Sequence, residues 1–130
     1  MTSETPSGPS PKMNTDPSTM IIDPRGMEWK GHERFPGMLM KTLITSKENP
    51  YLSFNVVRIP PGVELAYHDH QQEVETVYMI SGKGILTLGE TEVPFEAGQV
   101  VALPTGFKHC LKNTGTEEIQ MITIFTPPLV

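Results

Sequence analysis

The chain has little cysteine and no pattern of an export signal. Cys110 is the single cysteine among 130 residues, so no disulfide can form within the chain, which fits a reducing compartment. The first residues contain no basic segment followed by an apolar run, the pattern of a secretory signal. We therefore expect a cytoplasmic location.

Positive charge and long apolar runs are also scarce. Ten Lys and Arg residues stand against fifteen Asp and Glu residues, which gives a net charge of -5 and a pI near 5.3. No basic run is present, and this charge balance would repel a phosphate backbone, so we expect no nucleic-acid partner. The longest apolar runs have the length of a strand, too short to span a bilayer. A small-molecule substrate or ligand is the partner that this composition favours.

The composition suits one globular domain preceded by a tail. Hydrophobic residues make up 37% of the chain and charged residues 19%, which is typical of a chain that buries a core. Residues 1–19 are dominated by Pro, Ser and Thr and lack apolar periodicity, so we predict a disordered tail. The folded domain is expected over residues 20–130, starting where the segment MIIDPRGMEW first clusters apolar side chains.

Short strand patterns separated by Pro and Gly follow one another through this domain. After residue 40 no segment shows helical spacing over a useful length, whereas the candidate strands are rich in β-branched and apolar residues. These strands are MLMKTLITS, LSFNVVRI, VELAYHDH, VETVYMIS, ILTLGE, TEVPF, QVVALP, FKHCLKN and IQMITIFTP. Turns are predicted at KENPY, Gly82–Gly84 and Glu96–Gly98. We therefore predict an all-β fold, a sandwich or barrel of antiparallel strands.

Two of the four histidines stand one residue apart within GVELAYHDHQQEVETVYMISG, residues 62–82. Residues i and i+2 of a strand point to the same face, so His68 and His70 are expected to project side by side. Glu75 differs from His70 in parity, and a turn through QQE would bring it onto the antiparallel neighbour, facing the same interior. His109 supplies a third imidazole from a later strand. Three imidazole nitrogens and one carboxylate oxygen form a coordination set for a divalent transition metal.

Each of these residues also has a simpler interpretation. His68 and His70 could be an exposed pair on a strand surface, and His109 could be a hydrogen-bonded histidine of the core. Glu73 competes with Glu75 as the acidic ligand. Glu73 belongs to the turn, where a carboxylate is readily solvated, so Glu75 is the favoured ligand.

The spacing of these residues resembles the two sequence motifs of the cupins. The first motif is Gly, five residues, His-x-His, three or four residues, Glu, six residues, Gly, and it is matched with four residues before the glutamate. The second is Gly, five residues, Pro-x-Gly, two residues, His, three residues, Asn. The matching positions are Gly62, His68, His70, Glu75 and Gly82, followed by Gly98, Pro104, Gly106, His109 and Asn113. Ten positions at fixed spacing make this a specific signal.

The resemblance implies a small antiparallel β-barrel of the double-stranded β-helix or jelly-roll type, with His68, His70, Glu75 and His109 as metal ligands. The candidate ions are Fe, Mn, Ni, Co, Cu and Zn, of which Fe(II) is favoured. Such a set leaves about two positions open on a six-coordinate ion, where a small acid, an enol or O₂ can bind. An Fe(II)-type oxygenase acting on a small organic molecule is therefore the first hypothesis. The alternatives are a metal-dependent lyase or isomerase of a small acid or sugar, and a non-catalytic cupin that binds a small ligand.

The motifs do not contain an evident general acid or base. Glu73, Arg58 and Lys41 are candidates from their positions along the strands alone. His32 lies outside the motifs and is expected at the surface. Cys110 is expected to point away from the ligand-bearing face and to pack as a small hydrophobic side chain.

The side chains around Glu75 follow the parity of a strand. Val77 and Met79 share its face and are expected to give the pocket an apolar wall. Tyr78 and Tyr67 have the opposite parity and are expected to lie outside the pocket. Asn113 is expected to bond the backbone near a strand end.

A homodimer is also expected. Small cupins resemble one another in pairing through a sheet and exchanging N-terminal strands. The MLMKTLI strand would otherwise leave an exposed apolar edge, which favours aggregation.

Overall fold

The computed structural model describes residues 13–130 of the chain, and ten strands dominate its regular structure. Two 3-10 turns, Pro17–Thr19 and Pro24–Gly26, precede the strands, and no α-helix occurs within residues 13–130. The strands are β1 Lys30–Gly31, β2 Leu39–Ile44, β3 Ser53–Ile59, β4 Glu64–His68, β5 Val74–Ser81, β6 Lys83–Leu88, β7 Thr91–Glu96, β8 Val100–Leu103, β9 His109–Lys112 and β10 Ile119–Thr126. The all-β prediction is confirmed. The described residues include no helix of the length and apolarity needed to cross a membrane.

The ten strands form two sheets in which every pairing is antiparallel. The larger sheet has the order β1-β2-β3-β10-β5-β8, and the smaller sheet has the order β4-β9-β6-β7. The last strand, β10, inserts between β3 and β5, so strands distant along the chain become neighbours. This arrangement is the predicted jelly-roll type of antiparallel barrel.

Alternation along the strands builds the core between the sheets. In β3 and β10 every second residue is buried, the period of a strand with one face on the core. The buried apolar cluster consists of Phe35, Met38, Val57, Ile59, Leu65, Val77, Met79, Leu86, Phe95, Leu103, Leu111, Ile119 and Met121. Because full burial of such a side chain contributes about 1.5–3 kcal/mol, apolar packing is the main attraction between the sheets.

The chain passes from the larger sheet to the smaller one between β5 and β6. The prediction of a turn through Gly82–Gly84 is wrong, because Gly82 alone separates the two strands. Its φ of 91° lies in the left-handed region that favours glycine, and an added Cβ would approach Ile119 to 3.0 Å. The predicted turn at Glu96–Gly98 is present, closed by a bond of 3.1 Å from the Gln99 N–H to the Glu96 carbonyl.

Residues 24–29, the first part of the segment before β2, pack on the outer face of the larger sheet. The Trp29 ring lies 4.6 Å from Lys41 Nζ and 4.9 Å from the guanidinium carbon of Arg58. Lys41 Nζ also donates a hydrogen bond to the Pro24 carbonyl at 2.8 Å. Most of the predicted tail, residues 1–12, lies outside the described residues, and residues 13–19 are exposed. The domain boundary near residue 20 stays a prediction.

Candidate metal centre

Four side chains converge between the two sheets. His68 is the last residue of β4, His70 follows it in the loop, Glu75 belongs to β5, and His109 is the first residue of β9. One nitrogen or oxygen atom from each lies within 4.8 Å of the others. The structure thus brings together the four residues that the sequence analysis named. We call this group the His-His-Glu-His cluster.

The two sheets contribute to the cluster from opposite sides. His68 and His109 are direct cross-strand partners in the smaller sheet, whereas Glu75 lies in the larger sheet opposite Leu103. The expectation that Glu75 lies on the antiparallel neighbour of the histidine strand is therefore wrong, because β4 does not pair with β5. After the loop the chain crosses between the sheets, and the carboxylate faces the imidazoles across the interior.

Backbone carbonyls fix the tautomer of two imidazoles. His68 Nδ1 lies 2.7 Å from the Ala66 carbonyl oxygen, and His109 Nδ1 lies 3.0 Å from the Phe107 carbonyl oxygen. Because a carbonyl can only accept, each Nδ1 carries a proton and each neutral ring keeps its lone pair on Nε2. Such a second hydrogen bond is the usual way in which proteins orient a metal-binding histidine.

The inner atoms of the cluster lack hydrogen-bond partners. Glu75 Oε1 lies 3.2 Å from His109 Nε2 and 3.5 Å from His70 Nε2, yet Glu75 Oε1 and His70 Nε2 are buried without a hydrogen bond. With a neutral His109, the lone pair of Nε2 faces the lone pairs of the carboxylate. Around an ion with bonds of about 2.1 Å, ligands at right angles lie about 3.0 Å apart. The donor set and its spacing therefore fit a divalent transition metal.

The shifts in pKa within the cluster show that its carboxylate attracts positive charge. Burial opposes ionisation of Glu75, but the neighbouring imidazoles of His109 and His70 outweigh it and lower the pKa of this carboxyl to about 2. Burial also opposes a proton on His109, but Glu75 outweighs it and raises the pKa of His109. The pKa of His68 is lowered, chiefly by burial. A proton on His109 and a bound cation would therefore compete for the negative charge of Glu75.

A cavity of about 160 Å³ lies beside the cluster. His68, His70 and Glu75 form part of its wall, and most of the remaining wall is apolar, with Phe35 and Phe125 among its side chains. The Phe125 ring lies 4.8 Å from that of His70, and the Phe35 ring lies 4.7 Å from that of His68. A small organic molecule in this cavity would therefore contact the cluster directly.

Val77 and Met79 lie on the inner face of β5, as predicted. Val77 lines a separate void of about 30 Å³ behind the cluster, and Met79 is fully buried in the core. The apolar wall of the 160 Å³ cavity comes instead from other strands and from the segment before β2. Strand parity alone could not indicate which strands face this cavity.

The expected surface position of His32 is met only in part. It is half-buried and lines the 160 Å³ cavity, with its ring 5.0 Å from that of Phe35. A turn closed by the Phe35 N–H and the His32 carbonyl, at 3.2 Å, folds this segment over the cavity. No motif or strand period in the sequence indicates such a placement.

The three predicted acid or base candidates lie away from the cavity. Lys41 and Arg58 face outward beside Trp29, and Arg58 Nε also pairs with Glu118 at 2.6 Å. Glu73 stays in the loop before β5 and does not join the cluster. None of the three lines the 160 Å³ cavity.

The predicted structural residues behave as expected. Cys110 Sγ lies 3.0 Å from Glu64 Oε1, and burial, together with Glu64, raises the pKa of its thiol to about 12, so it is a poor nucleophile. Tyr67 and Tyr78 are 48% and 44% exposed, which places them outside the cavity. Asn113 Nδ2 donates to the backbone carbonyls of Ile59 and Glu117 at 2.9 and 2.8 Å.

The sequence analysis missed three polar residues that line the cavity: Thr42, Asn55 and Thr123. The signal that could have identified Asn55 and Thr123 is their parity. Each occupies an inward position of a strand whose neighbouring inward positions include apolar side chains, such as Val57 and Met121. A polar residue in that phase needs a partner inside the protein.

The two facing sheets and the cluster between them define a small jelly-roll protein with a candidate metal centre. A family model described as Cupin domain matches residues 55–125. This chain belongs to the cupin family, as its two motifs indicated.

Relatives and solved structures agree with this assignment. The oxalate-binding protein of Thermotoga maritima is 27% identical over 95 residues, which cover 73% of this chain and 76% of that protein. The L-ectoine synthase of Alkalilimnicola ehrlichii is 31% identical over 98 residues, which cover 72% and 70%. A solved structure described as a predicted oxalate decarboxylase from Thermotoga maritima has a TM-score of 0.75 at 23% identity, covering 83% of this chain and 99% of that chain. At that identity the structural likeness shows the fold alone.

Proposed function

We propose that this protein is a metal-dependent enzyme that oxygenates a small organic acid or enol, with Fe(II) held by His68, His70, Glu75 and His109. The observation that carries the proposal is the position of the cluster, whose unpartnered buried atoms adjoin a largely apolar cavity of about 160 Å³. A cavity of comparable size in another protein binds benzene, so the enclosed part suits a molecule of about that size.

The chain's own residues would orient the substrate and exclude water. Carbonyl groups hold the rings of His68 and His109, so the ligand atoms are positioned before an ion arrives. Phe35 and Phe125 pack against the cluster histidines and limit the access of water. When bound, the ion would supply Lewis-acid or redox chemistry at its open positions.

The scarcity of proton-transfer groups favours oxygenase chemistry. Among the described residues that line the cavity, His32 is the one titratable side chain outside the cluster. A lyase or isomerase that removes a proton from carbon needs a positioned base. An oxygenase can draw its reactivity from the ion and O₂ and depends less on such a group.

A metal-dependent lyase or isomerase is the second candidate, and His32 is the observation that favours it. Its Nδ1 accepts a hydrogen bond from the Arg34 N–H at 3.1 Å, so the neutral ring carries its proton on Nε2. This gives the cavity one group able to transfer a proton. The similarity to L-ectoine synthase also supports chemistry other than oxygenation.

The metal dependence of turnover tests these proposals. The metal-free protein would be loaded with Fe(II) or Zn(II) without oxygen and then mixed with O₂ and a panel of 2-oxo acids, 2-hydroxy acids and 1,3-diketones. The oxygenase proposal predicts O₂ consumption with Fe(II), none with Zn(II), and none in the His68→Ala/His109→Ala double variant.

The other outcomes separate the alternatives. Equal turnover with Zn(II) would favour the lyase or isomerase, and binding without turnover with either ion would indicate a ligand-binding cupin. Full metal content in the double variant would show that the ion binds elsewhere.

A further inference from the structure

Three polar side chains form a row across the cavity wall of the larger sheet. Thr42 of β2, Asn55 of β3 and Thr123 of β10 are successive cross-strand neighbours. Thr42 Oγ1 lies 2.8 Å from Asn55 Oδ1, and Asn55 Nδ2 lies 3.3 Å from Thr123 Oγ1. Asn55 and Thr123 are each 4% exposed. We call these three residues the polar row.

The polar row has more hydrogen-bond donors than its own contacts use. Two hydroxyl groups and one amide bring four polar hydrogens, and the two hydrogen bonds within the row use two of them. Reversing the Asn55 amide changes which hydroxyl donates, but it still leaves one amide hydrogen and one hydroxyl hydrogen. The three side chains form no other hydrogen bond within the described residues. Buried donors normally meet an acceptor, and the cavity is the space that these donors line.

The row lies one inward position along the strands from Glu75. In the pairing of β10 with β5, Phe125 stands opposite Glu75, and Thr123 stands opposite Val77. Two residues of a strand span about 7 Å. At the next inward position Met121 is buried and apolar. Across the sheet Thr123 is one strand from Glu75 and Asn55 is two, about 5 and 10 Å. The polar row therefore lies on the wall of the same cavity, between the cluster and the apolar core.

The charges around the cavity indicate which acceptor suits the row. No lysine or arginine side chain lines the cavity in the described part of the chain, and Lys41 and Arg58 are engaged outside with Trp29. A divalent ion and Glu75 together carry one net positive charge, which one carboxylate or enolate of a ligand neutralises. A second carboxylate or a phosphate at the row would be buried without a counter-charge, which is unfavourable. A neutral carbonyl or hydroxyl oxygen would avoid this cost.

We propose that the polar row selects a small monoanion whose distal neutral oxygen accepts hydrogen bonds from Asn55 and from a neighbouring threonine, while its acidic end lies at the cluster. This inference rests on the proposed metal-dependent function, and it specifies the substrate class. Keto acids and hydroxy acids of about five carbons fit both the cavity volume of about 160 Å³ and the charge.

Calorimetric titration of the Zn(II)-loaded protein tests the inference without turnover. The probes are 4-oxopentanoate, pentanoate and succinate, which place a carbonyl, a methylene and a carboxylate at the same carbon. In the wild-type protein 4-oxopentanoate should bind at least about three- to tenfold more tightly than pentanoate, because one net hydrogen bond has that effect and the row supplies two. Succinate should bind more weakly than 4-oxopentanoate.

The decisive variant is Asn55→Asp, which keeps the shape of the side chain. Its carboxylate would accept from the hydroxyls of Thr42 and Thr123, so no donor would remain for the ligand, and the ratio of the two affinities should fall to about one. The added negative charge of the aspartate repels both monoacids equally, so this repulsion does not change the ratio of their affinities. The double variant Asn55→Leu/Thr123→Val removes three of the four polar hydrogens without a buried charge, so the ratio should fall well below the wild-type value although the Thr42 hydroxyl remains. Thr76→Val, on the opposite face of β5, is the matched control and should keep the wild-type ratio.

The possible outcomes test the role of the polar row separately from the proposed function. An unchanged ratio in metal-loaded, folded Asn55→Asp, or equal binding of pentanoate and 4-oxopentanoate by the wild-type protein, would overturn the role of the row alone. Tighter binding of succinate than of 4-oxopentanoate would overturn the selection for a monoanion. If the metal-loaded protein binds none of the three acids, the small-acid function itself fails, and the inference fails with it.

Discussion

Replacing Glu75 with glutamine removes the one negative charge of the His-His-Glu-His cluster while keeping the shape of the side chain. Burial opposes ionisation of Glu75, but the neighbouring imidazoles of His109 and His70 lower its pKa to about 2, so the carboxylate is charged at neutral pH. Glutamine is neutral and offers an ion a weaker oxygen ligand. We therefore expect Glu75→Gln to weaken metal binding sharply.

The size of the effect follows from the place of Glu75 in the cluster. Substitution of residues that merely orient metal ligands typically lowers metal affinity 10–100-fold. Since Glu75 would contact the ion itself, replacing it should lower metal affinity by at least the upper end of this range, about 100-fold, which corresponds to about 2.7 kcal/mol. The metal-free variant should keep its fold, because its amide can donate to His109 Nε2. Its free energy of unfolding should still fall at neutral pH, by up to about 3 kcal/mol, because the lowered pKa of Glu75 means that its ionised form stabilises the fold.

Competition with a chromophoric chelator measures the affinity, and thermal unfolding of the metal-free proteins measures the stability. Glu73→Gln is the matched control, because it removes the same charge two residues away, outside the cluster. The control should bind metal as the wild-type protein does. Equal losses in the two variants would indicate a general charge effect, and wild-type affinity in Glu75→Gln would refute the proposed coordination.

Three further predictions concern pH, the N-terminal segment and assembly. Metal affinity should fall as pH decreases below about 6.5, because the imidazoles must be neutral to coordinate. Protons should compete first at His109, because burial lowers its pKa but the neighbouring Glu75 raises it by more. A chelator titration at several pH values checks this, and constant affinity from about pH 8 to about pH 5 would contradict it. Deleting residues 1–19 should leave the melting temperature nearly unchanged, since residues 13–19 are exposed and the composition of the segment cannot form a core; a loss of several degrees in calorimetry would show that the segment packs on the barrel. Light scattering should give twice the chain mass of 14.4 kDa. The reason is an exposed apolar patch on β5 and β8, which favours a partner: Tyr78, Ile80 and Val100 are 44%, 45% and 64% exposed. A mass of one chain at micromolar concentration would contradict the homodimer.

Much of the local structure could be predicted from the sequence because it depends on short-range periodicity. The segment predicted as VETVYMIS is β5, with the same bounds. The outward position of Tyr78 follows from the same period of two, whereas in β4 a register shift between Leu65 and His68 interrupts this period next to Tyr67. The spacing of His68, His70 and Glu75 in the first motif likewise named three members of one cluster before their positions in space were known.

Parity does not determine which sheet a strand joins, and here the predictions failed. The sequence suggested that Glu75 stands beside the histidine strand, but β5 pairs with β10 and β8 in the opposite sheet. The turn predicted at Gly82–Gly84 is a crossing between the sheets at Gly82. Strand pairing depends on contacts between segments far apart in the chain, and such contacts leave no signal within a short window.

The sequence by itself determined strands β2 to β10, the family motifs and the identity of the four cluster residues, because each depends on residue type at a fixed local spacing. It did not indicate β1. The tertiary structure alone decided what surrounds the cluster. It placed His32 at the cavity, turned Lys41 and Arg58 to the outer face, and aligned Asn55 with residues from two other strands in the polar row. These positions depend on the register of β2, β3 and β10 and on the fold of the segment before β2, which are set by packing of the whole barrel.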